Sequence, residues 1–131
     1  MIGGFAVNVY GYVRTTNDLD IWVKIDPDNA IRIERALQQF GFAKAGLSVD
    51  LFLARRNVVR MGLPPVRIEI LTTISGVEFT ECYPERETVE IEGMRVPMIS
   101  LARLRENKLA SGRHKDLADL ENLPDVGDPI R

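Results

Sequence analysis

Residues 15–23, Thr-Thr-Asn-Asp-Leu-Asp-Ile-Trp-Val, constrain this chain more than any other stretch. Apolar residues alternate along it, so it reads as a β-strand. Leu19, Ile21 and Val23 fall on one face, and Asp18, Asp20 and Trp22 on the other. Two residues of a strand rise roughly 6.6 Å, so the two carboxylates stand side by side and point the same way. Carboxylates so placed repel one another unless a cation lies between them, and Mg²⁺ prefers such oxygen ligands. Taken alone, Asp-x-Asp also describes a solvated strand edge, since acidic residues are mostly exposed. The residues ahead of it change the weighing. Gly3-Gly4 opens an apolar run, Phe5-Ala6-Val7, and thirteen residues separate Gly4 from Asp18. A Gly-Gly pair at the start of a helix lets backbone N–H groups approach a phosphate closely.

The rest of the chain reads as scaffold around that strand. Residues 5–12 form a short helix with Phe5, Val9 and Tyr12 on one face. Asp26 caps a second helix and Pro27 suits its first position. Ala30, Ile33, Leu37 and Phe40 repeat along that helix, and Gly41 stops it. Val49, Leu51 and Leu53 alternate with Asp50 and Phe52, which hints at a strand within residues 42–53. Arg55-Arg56 fits either a phosphate contact or a solvated turn. Residues 66–71 are a clear strand with Val66, Ile68 and Ile70 toward the core and Arg67 and Glu69 away from it. Val77 to Phe79 suggests a further short strand. Thr88 to Ile99 reads as a hairpin turning at Gly93, with Pro97 marking an edge strand. Ser100 caps a final helical region that breaks at Gly112, with Leu117, Leu120 and Leu123 as packing residues. Asp116 and Asp119 are expected to cap or pair locally. His114, the only histidine, stands among charges and reads as solvated.

Length and charge narrow the classes. A chain of 131 residues fits one domain, here 1–123 with a tail at 124–131. The 17 basic and 19 acidic residues give a net charge of −2, which argues against gripping nucleic acid by bulk charge. Cys82 is the single cysteine, so there is neither an internal disulfide nor a cysteine-based metal site. It is expected to be a buried small hydrophobe. No apolar run approaches the roughly 20 residues that span a bilayer, so no membrane role is expected and a cytoplasmic location is the default.

Together, Gly-Gly, a short helix and a strand bearing Asp-x-Asp resemble the polymerase-β-like nucleotidyltransferase superfamily. "GGFAVNVYGYVRTTNDLDIWV" is most similar to its small prokaryotic branch of minimal and toxin-like nucleotidyltransferases. The ending "NKLASGRHKDLADLENL" resembles the family's Lys-bearing helix that breaks at a Gly and resumes. The resemblance implies an α/β (α+β) fold: a mixed, curved sheet of four or five strands with helices mainly on one side. It implies transfer of a nucleoside monophosphate from a nucleoside triphosphate to an acceptor hydroxyl, the acceptor being RNA, a protein or a small molecule. It makes Asp18, Asp20 and Glu69 the catalytic and metal-binding carboxylates, for Mg²⁺ or Mn²⁺, although Asp is commoner than Glu at the third place. Gly3, Gly4, Arg14 and Lys108 become the nucleotide-binding residues, with Arg113 and Lys115 as further candidates for a basic patch. Arg14 fits a phosphate contact and equally an ion pair to Asp18 or Asp20. The alternative function is a catalytically degenerate domain that binds nucleotide or protein, as in a toxin–antitoxin pair with an antitoxin-type partner. Family members usually carry a strand that ends at the Gly-Gly pair, and here Met1-Ile2 leaves only its stub. A bare neighbouring edge invites pairing, so a homodimer is expected with the N-terminal region near the contact.

Overall fold

The computed structural model describes residues 1–131 apart from 13, 17, 42–47, 64–65 and 126–131. Helix α1 is Gly3–Val9, strand β1 is Asp18–Trp22 and helix α2 is Pro27–Gln39. Strands β2 (Val58–Leu63) and β3 (Val66–Leu71) follow, then a one-turn helix α3 (Phe79–Cys82). Strands β4 (Glu87–Ile91) and β5 (Met94–Met98) precede helices α4 (Leu101–Ser111) and α5 (His114–Asn122). The expected mixed α+β architecture is present, and among the described residues five strands are divided between two sheets. One has the order β1-β3-β2, with β1 parallel and β2 antiparallel to β3; the other is the β4-β5 hairpin.

Strand parity sorts the first sheet into two faces. Val59, Met61 and Ile70 are buried on one, together with Ala30 and Leu37 of α2 and Phe52. The other face bears Asp20 and Glu69, and its Trp22 and Leu71 pack on a second cluster of Ala6, Val7, Tyr10, Met98, Ile99 and Leu104. That cluster joins α1, the end of β5 and α4. Within it the Tyr10 hydroxyl donates to the Ile99 carbonyl at 2.7 Å.

Local signals held where a cap or a turn fixed them. The Asp26 side chain accepts from Asn29 N, Pro27 opens α2, and Ser100 caps α4. Gly112 ends α4 in the left-handed region at φ 66°. Cys82 is buried.

Several readings need correction. Helix α1 begins at Gly3 itself, so the face it buries is Gly4, Ala6 and Val7, while Phe5 is exposed. The small residues let α1 approach the core, and the aromatic ring is turned outward. The strand hinted at around Val49 is a 3₁₀ turn, Val49–Phe52, whose Phe52 is wholly buried, not outward-facing. Residues 42–47 of that reading lie outside the described residues. Val77 makes a single bridge to Ile74, and Phe79 starts α3 instead of ending a strand. Leu117 is exposed, because α5 turns Asp116 and Asp119 inward instead. Finally, β1 is not bare: Ile2 N donates to Asp20 O at 3.1 Å, and Ile99 N donates to Met1 O at 3.1 Å. Met1 and Ile2 thus lie between β1 and the β5–α4 junction, on the edge from which a dimer contact was expected. Among the described residues no helix is long and apolar enough to cross a membrane.

Candidate active site

The polar face of the sheet is set by register. Asp20 lies opposite Glu69 and Asp18 opposite Arg67 across β1 and β3. On the far side of β3, Arg60 lies opposite Glu69 and Gly62 opposite Arg67. Two rows of side chains result, Arg60-Glu69-Asp20 and Gly62-Arg67-Asp18.

The two rows differ chemically. Arg67 donates to Asp18 through both nitrogens of its fork, Nε to Oδ1 at 2.7 Å and Nη2 to Oδ2 at 2.9 Å. Those bonds hold Asp18 below the usual carboxylate range. In the other row Arg60 Nε donates to Glu69 Oε1 at 2.7 Å. The Asp20 Oδ1 is buried without a hydrogen-bond partner. Burial, and then the charge of Glu69, push Asp20 up to about 6. Of the three expected carboxylates, Asp20 and Glu69 come together, while Asp18 shares their face but is turned to Arg67. Glu69 is paired to Arg60. Among the described residues no three acidic, histidine or cysteine side chains converge as a preformed metal site. A buried carboxylate oxygen without a partner, beside a second carboxylate, nevertheless fits a hard divalent cation.

Gly3 is built against this pair. Its φ is +69°, and a Cβ there would lie 2.1 Å from Asp20 Oδ2. Gly3→Ala therefore meets both a left-handed backbone, about 1–2 kcal/mol, and a clash that displaces the carboxylate. The expected result is a lower melting temperature together with loss of activity. Gly93, at φ +80° in open space, supplies the control: Gly93→Ala bears the backbone strain alone and keeps activity.

A cleft of about 770 Å³ opens over Asp20 and Glu69. Its lining includes Gly3 and Gly4, Arg55, Arg56 and Arg60, and Lys108, Arg113 and Lys115. Lys115 acts electrostatically on both Asp18 and Asp20. The cationic groups of two residues expected to bind nucleotide are engaged by aspartates. Arg14 pairs neither with Asp18 nor with Asp20: its Nε and Nη2 donate to Asp119 at 2.6 and 2.8 Å. Lys108 is buried, with its Nζ at 2.9 Å from Asp116 Oδ1 and 3.0 Å from Asp119 Oδ2. Asp116 also accepts from Ser111 Oγ and Arg113 Nε. Asp116 and Asp119 therefore do not pair merely locally; they are the buried centre of a network joining the α1–β1 connection to α4 and α5. Arg60 was missed as a cleft residue. Its signal lay in the order of the strands: β2 and β3 are neighbours in sequence and pair antiparallel, which brings Arg60 opposite Glu69.

Gly3 packed on a strand aspartate, a carboxylate on the parallel neighbour and a cleft rimmed by arginines are consistent with a nucleotidyltransferase of the polymerase-β-like class. Residues 1–123 match the family model of Aminoglycoside-2''-adenylyltransferase, and the chain belongs to that family. Nucleotidyl transfer is the family's chemistry. None of the curated proteins matches the chain.

Proposed function

We propose that this protein transfers a nucleoside monophosphate from a nucleoside triphosphate to an acceptor hydroxyl, with a divalent cation, Mg²⁺ or Mn²⁺, held by Asp20 and Glu69. The observation that carries this reading is the unpartnered buried oxygen of Asp20 beside Glu69, at the floor of a cleft rimmed by cations. When bound, such an ion supplies Lewis-acid activation of the phosphoryl group. Arg55, Arg56 and Lys115 bind the triphosphate and offset the charge that develops on the departing pyrophosphate. Gly3 and Gly4 keep the facing wall free of side chains. Glu69, held by Arg60, accepts the proton of the acceptor hydroxyl as it attacks the α-phosphorus. The family's name makes an aminoglycoside hydroxyl the first acceptor to test and adenylate the first group.

The test is incubation with each α-labelled nucleoside triphosphate, Mg²⁺ and an aminoglycoside panel, with RNA, protein and cell extract as parallel acceptors. Label on an aminoglycoside from ATP is the expected result. Label on RNA or protein instead would keep the reaction and reassign the acceptor. Absence of label from every acceptor would overturn transfer. It would favour nucleotide binding without turnover, a reading that the engagement of Asp18 by Arg67 also supports.

A further inference from the structure

We infer, resting on the reading of this cleft as a nucleotidyltransferase centre, that Arg67 is a built-in cation for Asp18, so that the site takes one divalent ion, on Asp20 and Glu69, and not two. The sheet register carries the argument. In the row Gly62-Arg67-Asp18 one guanidinium meets one carboxylate and the formal charges sum to zero. In the row Arg60-Glu69-Asp20 one guanidinium meets two carboxylates and the sum is −1. Lys115 acts on both rows, so the excess negative charge among the cross-strand partners lies in the second row, and there the Asp20 Oδ1 without a hydrogen-bond partner is found.

The first row is closed by geometry as well as by charge. Both oxygens of Asp18 accept from the planar fork of Arg67, the arrangement in which guanidinium and carboxylate match best. Gly62, on the opposite side of Arg67, offers no side chain to draw the guanidinium away from Asp18. Arginine does not lose its proton in proteins, so the positive charge beside Asp18 is permanent. A second divalent ion at Asp18 would have to displace Arg67 or sit against it. Lysine in place of Arg67 would keep the charge but not the fork. Arg67 thus acts as a positioning residue: it fixes Asp18 and, through Asp18, the number of ions the face accepts.

The experiment is a Mn²⁺ titration of the whole chain and of Asp18→Asn, Asp20→Asn and Arg67→Gln. Paramagnetic resonance counts bound ions, nuclear-spin broadening locates them, and circular dichroism checks folding. One ion is expected in the wild type, broadening signals around Asp20 and Glu69. Asp18→Asn keeps that ion, Asp20→Asn binds it at least ~10-fold more weakly, and Arg67→Gln gains a second ion near Asp18. The inference is overturned if the wild type binds two ions and Asp18→Asn removes one, or if folded Arg67→Gln gains none. Should Arg67→Gln fail to fold, Asp18→Asn still decides, because loss of the wild-type ion in it assigns Asp18 as a ligand. Two ions in the wild type would leave the proposed function standing. No ion in any variant would sink both the one-ion site and the metal-dependent reading.

Discussion

Asp20→Asn is expected to abolish nucleotidyl transfer and, in the metal-free protein, to raise the melting temperature. The two effects have one origin. Asp20 lies beside Glu69 with its Oδ1 buried and partnerless. A carboxylate in that position is destabilising until a cation arrives, because its charge is desolvated and faces a like charge. Asparagine keeps the shape, so the close contact with Gly3 survives, while the charge is removed and an amide N–H becomes available to Glu69. A gain of about 1–2 kcal/mol is expected, which in a domain of this size is roughly 3–8 °C. Transfer should fall by at least ~10³-fold, since an ion held by one carboxylate in place of two loses several kcal/mol of charge stabilisation. Millimolar Mg²⁺ should raise the melting temperature of the wild type by mass action and leave Asp20→Asn unmoved. Calorimetry in chelator and then in Mg²⁺ reads both arms. A variant that melts below the wild type in chelator would show that Asp20 is a structural partner rather than a strained ligand.

How far the sequence discloses this site depends on the range of the interactions that build it. Asp18 and Asp20 share one face of β1, and Glu69 stands opposite the apolar face of β3, because strand parity is local. The capping of α2 by Asp26, the opening of α4 at Ser100 and the break at Gly112 are likewise legible, since each is settled within a few residues. Which partner each charge takes is not local. Asp18 meets Arg67 and Glu69 meets Arg60 only because β1 pairs parallel, and β2 antiparallel, to β3 in one register. Arg14 reaches Asp119 across 105 residues of sequence. An arginine four residues before an Asp-x-Asp strand looks like a phosphate ligand or a neighbouring ion pair; only the docking of α5 reveals it as a tether. Leu101, Leu104 and Lys108 fall on one stripe of α4, and Leu104 and Lys108 are buried. The engagement of Lys108 by two aspartates is not legible in that stripe, because α4 and α5 are separate helices joined through Gly112, and their crossing decides which side chains meet.

Lys108→Met is expected to be the most destabilising of the substitutions considered. Lys108, Asp116 and Asp119 are each almost wholly buried, at 4%, 1% and 1% exposure. Two carboxylates out of water need their cations, and Lys108 is the one that bridges both. Its removal leaves Asp116 with Arg113 and Ser111, and Asp119 with Arg14. Breaking a buried ion pair by removing one partner costs about 3–5 kcal/mol. Because each aspartate retains another donor, the lower end is expected, about 3 kcal/mol and roughly a 10 °C fall in melting temperature. Combining Lys108→Met with Asp119→Asn should restore part of the loss, as coupled neighbours are non-additive. The same network fixes the acid limit of the fold. Burial alone would raise Asp116, but hydrogen bonds from Ser111, Lys108 and Arg113 outweigh it and hold the group at about 2. Asp119 is also held low: Arg14 and Lys108 outweigh the opposing burial. A carboxylate lowered in the folded state lets the unfolded chain take up its proton first as pH falls. The stability these groups contribute is therefore complete above pH about 4 and is lost as pH drops toward about 2. Denaturant unfolding at pH 7 and at stepwise lower pH measures it. The wild type should lose stability steeply through that window, and Lys108→Met, already without part of the pairing, should start lower and fall less. Equal slopes in the two proteins would mean that the network is not what gives the acid transition its steepness.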